Sequence, residues 1–199
     1  MNAVSSSEPT EATGRGARRE VPMAASPPAS DAEPLSVSVM ADIAAGLAEA
    51  RTLWQALVRY EPDGRDPVRL LATERYEAWV IGWLPGQGVR PHDHGGAAGT
   101  FVVTAGELTE VLPRLCGAPV ERRLTPGRTR HVPVGRIHDV VNHSLEAATS
   151  IHVYSPPLTR MTYYDGMTRR PLETVAVEAE QPVLGRRAPS FLLHPANRG

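Results

Sequence analysis

Three short stretches of this 199-residue chain concentrate residues that can do chemistry, and all three are built around histidine. The first, Gly86-Gln87-Gly88-Val89-Arg90-Pro91-His92-Asp93-His94, sets two imidazoles two positions apart. On a strand such positions share a face, so His92 and His94 project together while Asp93 points away. That pair can share one metal ion, although a bare His-x-His serves equally as a solvent-facing pair on an edge strand. The second stretch, Gly127 to Asn142, carries Pro133-x-Gly135, a tight turn that delivers His138 onto a following strand. His138 lies 44 positions beyond His94, room enough for the chain to cross, return and offer a third ligand. His131 competes for that role but precedes the turn and lacks its glycine frame. In the third stretch, Ser150-Ile151-His152-Val153-Tyr154-Ser155-Pro156-Pro157, alternation puts Ser150, His152 and Tyr154 on one face. A polar triad facing inward suits a site; the plain alternative is the polar outer face of a half-buried strand.

These residues need a scaffold, and the sequence between and around them describes one. From Ser38 to Tyr60, Met40, Ile43, Leu47, Ala50, Trp54, Leu57 and Val58 recur at helical spacing, an amphipathic helix packed on something flat. After Pro67 the texture turns to short β-branched or aromatic runs cut by Gly and Pro. Expected strands are Tyr76–Trp83, Gly99–Thr104, Glu107–Pro113, Val120–Leu124, Thr129–Pro133, Ile137–Asn142 and Ala148–Tyr154. Many short strands at near-regular spacing indicate a sandwich or barrel. Residues 1–35 form a tail expected to be disordered, since Met1 to Pro34 contain no Leu, Ile, Phe, Trp or Tyr. The remaining organisation is a helical packing segment (36–62), a barrel (63–168) and a C-terminal arm (169–199), covering or frayed rather than a second domain.

Composition removes several function classes. All 21 basic residues are arginine, so there is no lysine for a Schiff base, a general base or a phosphate-binding loop. A single cysteine, Cys116, excludes an intrachain disulfide and a cysteine-rich zinc module. A formal charge of −1 argues against nucleic acid as a bulk partner. No apolar run is long enough to span a membrane, and no secretory h-region opens the chain, so a cytoplasmic protein is expected.

Set against known patterns, the first stretch resembles the cupin motif Gly-x5-His-x-His-x4-Glu-x6-Gly at Gly86, His92, His94 and Gly106, with Gly99 where the glutamate usually stands. The second resembles the companion motif Gly-x5-Pro-x-Gly-x2-His-x3-Asn at Gly127, Pro133, Gly135, His138 and Asn142. The third is similar to the Ser-x-His-x-Tyr-Ser-Pro-Pro sequence of cysteine dioxygenases, and the likeness, closest to the bacterial members, spans roughly Val68 to Asp165. It implies a mainly β cupin fold, a double-stranded β-helix or jelly-roll barrel, with an N-terminal amphipathic helix. It also implies Fe(II) on His92, His94 and His138, with the Gly99 departure leaving three neutral ligands and no carboxylate.

On that resemblance, a thiol such as L-cysteine is deprotonated at the metal, and both atoms of O2 transfer to sulfur to give a sulfinic acid, a step of cysteine catabolism and taurine metabolism. Tyr154, oriented by His152 with Ser150 behind, would sit near O2 and the substrate carboxylate. In cysteine dioxygenases the carboxylate meets an arginine on the strand before the first motif. Counting back from His92 across a short gap, Arg69 fits, with Arg75 the alternative. Relatives with glutamine there prefer 3-mercaptopropionate, which makes a dioxygenase of another small thiol the nearest rival. A non-catalytic cupin that senses a thiol is the reading from another class. Animal members cross-link a cysteine to the tyrosine; that position is Gly99 here, so no cross-link is expected and Cys116 is a bystander. Ser155-Pro156-Pro157 is a natural place for a cis bond. Partners are the small thiol and O2, in a monomer or weak oligomer.

Overall fold

The computed structural model describes residues 33–114, 116–177 and 181–184. One helix, α1 (Val37–Glu49), precedes the strands β1 (Val68–Ala72), β2 (Glu77–Trp83), β3 (Gly88–Asp93), β4 (Ala98–Ala105), β5 (Leu108–Leu112) and β6 (Val120–Leu124). Then follow β7 (Thr129–Val132), β8 (His138–Val141), β9 (Ala148–Ser155), β10 (Arg160–Tyr164) and β11 (Pro171–Ala176). They form two antiparallel sheets, in the orders β1-β2-β9-β4-β7 and β11-β10-β3-β8-β5-β6. Sequence neighbours such as β2 and β3 lie in different sheets, so the chain crosses repeatedly between the layers of a cupin double-stranded β-helix.

Each of the seven expected strands is present within a residue or two of its expected bounds. Strand β1, absent from that expectation, lacks clean alternation because its pairing with β2 slips between Arg69 and Leu71. Strand β11 is exposed along its whole length, so no period-two pattern marks it. It pairs with β10 and begins at Pro171, a residue that fits a sheet edge because it has no N–H to donate. The stretch from Arg169 is therefore not simply an arm: its first part completes a sheet, and Val183 and Leu184 donate to the carbonyls of Arg69 and Leu70. Most of the tail expected to be disordered, residues 1–32, lies outside the described residues, as do 185–199. No helix among the described residues is long and apolar enough to cross a membrane.

The helix is shorter than its periodicity predicts. Ser36 caps its start by accepting from the Val39 N–H. At the other end Ala50 leaves helical angles, and the Trp54 indole donates to the Leu47 carbonyl at 2.6 Å. That bond satisfies one of the carbonyls a helix end leaves open, and the chain continues through two 3-10 turns with Trp54 buried. Met40, Ile43 and Leu47 pack against Ile151 and Val153 of β9. A second cluster, including Phe101, Val103, Leu108 and Val140, fills the space between the sheets. Strand β9 therefore sends alternate residues to two different jobs. Ile151 and Val153 anchor the helix, while Ser150, His152 and Tyr154 face the other way.

Candidate metal centre

His92 near the end of β3 and His138 at the start of β8 are direct cross-strand partners in the six-stranded sheet. Pro91 cannot join the ladder, and the pairing of β3 with β8 slips between Val89 and His92. The Pro133–Gly135 turn closes with the Arg136 N–H donating to the Pro133 carbonyl, and Gly135 takes a φ of 71° that side-chain-bearing residues avoid. Asn142 pins the far end of β8 by donating to the carbonyls of Trp83 and Glu146. His94 lies just past β3. Beside it Asp93, pointing away as alternation requires, accepts from the Gly95 N–H at 2.8 Å and the Tyr164 hydroxyl at 2.6 Å.

His92, His94 and His138 form one buried cluster whose ligand atoms all lie within 4.8 Å of one another. The Nε2 atoms of His94 and His138 are 3.4 Å apart. The outer nitrogens explain why Nε2 turns inward. His92 Nδ1 donates to the Arg90 carbonyl at 2.8 Å, and His138 Nδ1 faces Glu110 Oε1 at 3.3 Å. His94 Nδ1 is buried with no hydrogen-bond partner among the described residues. It abuts Gly99, where a Cβ would stand 3.2 Å away. Burial, then the neighbouring histidines, push the His92 and His94 imidazoles well below their ordinary range. They are neutral, with lone pairs available. Three imidazoles converging on one point, with no carboxylate at the Gly99 position, fit a divalent transition metal. His131 is not in this cluster; its Nδ1 pairs with the Thr100 hydroxyl.

The facing wall belongs to β9. The Trp83 indole donates to Ser150 Oγ at 2.9 Å, Ser150 Oγ lies 2.8 Å from His152 Nε2, and His152 Nδ1 lies 3.2 Å from the Tyr154 hydroxyl. An indole can only donate. If Ser150 then gives its own proton to His152 Nε2, and His152 Nδ1–H donates to the Tyr154 oxygen, every donor is matched and the Tyr154 proton is left for the cavity. His152 stacks on Phe101 at 4.9 Å between ring centroids. Burial, then His138 and Arg65, lower its pKa to about 3. Burial, with Glu77 adding, pushes the Tyr154 phenol up. The Ser155–Pro156 peptide that follows is cis.

Between the walls is a cavity of about 210 Å³, bounded by His92, His138, His152, Tyr154, Trp83 and Arg65. It is smaller than the roughly 300–1,000 Å³ of drug-sized sites. The structure does not bring Arg69 to this lining. Its guanidinium is 2.6 Å from Glu77, a fully buried carboxylate, and lies over the Trp79 ring. Arg75 is further off, donating to the Glu33 carbonyl. The lining cation is Arg65, 5.0 Å above the Trp83 ring, and among the described residues no carboxylate forms an ion pair with it. Sequence reasoning missed it because it sits in the loop Asp63-Gly64-Arg65-Asp66-Pro67, where no periodicity assigns a direction. It also missed Trp83 and Glu110. For Glu110 there was a signal: Glu110 alternates with Leu108 on β5, which points a carboxylate into the core. Cys116, the one cysteine, is exposed.

Comparison with known protein families agrees with this geometry. The family model described as cysteine dioxygenase type I matches residues 31–167. Among solved structures, TT1209 from Thermus thermophilus is 27% identical, with 52% of this chain and 93% of that chain covered at a TM-score of 0.47. A protein with a double-stranded β-helix domain from Klebsiella pneumoniae is 22% identical, with coverages of 51% and 85% and a TM-score of 0.47. A cupin superfamily protein from Desulfitobacterium hafniense is 14% identical, with coverages of 52% and 87% and a TM-score of 0.44. Because the family match takes in the three clustered histidines, the β9 ladder and more than half of the chain, this protein belongs to the cysteine dioxygenase type I family.

Proposed function

We propose that this cupin, a member of a thiol dioxygenase family, uses Fe(II) on His92, His94 and His138 to convert L-cysteine and O2 into cysteine sulfinic acid. The observation that carries the reading is the placement of three converging imidazoles opposite Tyr154 across a small cavity that Arg65 also lines. Fe(II) at the three imidazoles would supply the open positions where thiolate sulfur and O2 meet.

The chain's own residues account for the rest. Arg65 offers a charge-assisted fork for the substrate carboxylate. Burial works against its charge, so an anion in the cavity relieves a cost the folded protein already carries. Arg69, the arginine expected from the sequence for this task, already has Glu77 as its counter-ion. The Tyr154 hydroxyl, fixed through His152, Ser150 and Trp83, donates toward the bound reactants. Leu158 and Met161 on the apolar lining help exclude water. The same cavity admits 3-mercaptopropionate, which lacks the amine.

Oxygen uptake tests the reading. Protein reconstituted with Fe(II) should consume one O2 per cysteine and release the sulfinic acid, and faster turnover of 3-mercaptopropionate would reassign the substrate. No uptake with any small thiol would overturn the enzymatic reading in favour of a thiol sensor.

A further inference from the structure

The three proposed metal ligands are supported unequally. His92 leans on a backbone carbonyl and His94 on nothing among the described residues, whereas His138 leans on a carboxylate. That carboxylate, Glu110, comes from β5, the strand next to β8, and is 1% exposed. Its Oε2 is 2.9 Å from Arg130 Nε of β7 and 3.7 Å from Arg122 of β6. Glu110 does not line the cavity, so it meets no substrate. As packing alone it is expensive, because an apolar side chain would fill the same core position without losing hydration.

We propose that Glu110 is a positioning residue of the metal centre: through His138 it lends negative charge to a site whose own ligands are all neutral, and Arg130 limits how much. The proposal rests on the reading that the three histidines hold a metal. A carboxylate accepting from Nδ1–H fixes the tautomer, leaves the Nε2 lone pair facing the ion and makes the imidazole a stronger donor. The bond to Arg130 draws on the same carboxylate from its other oxygen. Removing that cation leaves more of the negative charge on the His138 side, while neutralising Glu110 removes it altogether. The two substitutions therefore pull the metal in opposite directions, which a purely structural cluster would not do. The carboxylate absent at Gly99 is replaced one bond further out, where it occupies no coordination position.

The test uses the full chain, stripped and reloaded with Fe(II), with Fe(II) Kd measured by chelator competition and the Fe(III)/Fe(II) midpoint potential measured alongside. In E110Q the amide oxygen still accepts from His138 Nδ1–H, while the NH2 that replaces Oε2 cannot accept from Arg130, so the charge and the Arg130 bond are lost and the His138 bond is kept. Its Kd is expected to rise about 10–100-fold and its potential to move up. R130Q should shift the potential down with no weakening of Kd. An E110Q protein with wild-type Kd and potential overturns the proposal, as does an R130Q potential that is unchanged or moves up. If E110Q does not fold, as judged by circular dichroism, the R130Q potential decides alone. A wild-type protein that takes up no metal overturns the three-histidine reading itself, whereas wild-type uptake with an unresponsive E110Q overturns only Glu110.

Discussion

The two walls of the cavity are polar for opposite reasons. On the side of the six-stranded sheet, the outer nitrogens of His92 and His138 are spent on Arg90 and Glu110, and the inner nitrogens of His94 and His138 face one another at 3.4 Å. On β9 each polar atom already has a neighbour, from Trp83 through Ser150 and His152 to Tyr154. Lone pairs crowded together are an unstable arrangement unless something sits between them. A closed ladder is complete in itself and exports one property, the direction of the Tyr154 hydroxyl. On the proposed function, one wall would hold an ion and the other would orient a proton. Removing a group from the first should therefore abolish binding, and removing one from the second should leave binding intact and damage rate.

The sharpest way to break this contrast is on the histidine wall. His138→Ala should bring iron content from near one per chain to near zero, read by metal analysis after dialysis, and stoichiometric iron would refute the ligand assignment. On the ladder wall, Tyr154→Phe should keep the iron and lower kcat by about 10²-fold or more, the scale of a lost positioned proton donor. Mass spectrometry of peptides containing Tyr154 should meanwhile find no thioether. Next come the two arginines. Arg65→Gln should raise the KM for cysteine about 10–100-fold, matching the roughly 1.5–3 kcal/mol of a charge-assisted hydrogen bond. Arg69→Gln should leave KM nearly unchanged and lower Tm, because it strands the buried Glu77. A reversal of those two phenotypes would return the carboxylate site to Arg69.

The last prediction concerns pH. His152 is held at about 3 in the folded chain, against about 6.5 for an unperturbed histidine. Between those values the unfolded chain binds a proton that the folded chain refuses. The stabilisation is thus complete above about pH 6.5 and falls away as the pH drops toward 3. For metal-free protein the loss is about 1.4 kcal/mol per pH unit from this residue, with His92 and His94 adding in the same direction. His152→Gln should lessen the dependence of Tm on pH between about 4 and 6.5, leaving the share that His92 and His94 contribute. An unchanged slope would show that His152 is not a buried neutral group.

What is legible in the sequence is what repeats or is locally framed. Strands such as Val120–Leu124 and Thr129–Val132 stand between turns that glycine and proline mark. The histidine trio can be read because His-x-His shares a face and Pro133-x-Gly135 aims His138. The helix end at Glu49 is hidden because apolar spacing continues through Trp54 and Leu57 while the backbone does not, once the indole captures the Leu47 carbonyl. Arg65, Glu110 and Trp83 owe their roles to partners on other elements. Counting back from His92 can reach Arg69 but cannot show that Glu77 occupies its guanidinium. Spacing reports direction along one strand; it does not report which distant charge has already been answered.

Strand β9 is buried at all eight positions and hydrogen-bonded to β2 on one side and β4 on the other. Each of its amides donates to one neighbour or the other, so the strand as a whole exchanges with solvent only when both pairings open, an excursion close to global unfolding. The Ser150–His152–Tyr154 ladder thereby inherits the lifetime of the whole fold. His94, one residue beyond the end of β3 and followed by a glycine turn, lacks that protection. The side proposed to orient a proton is carried by the strand that opens last, while one corner of the side proposed to hold the ion stands just outside the sheet ladder.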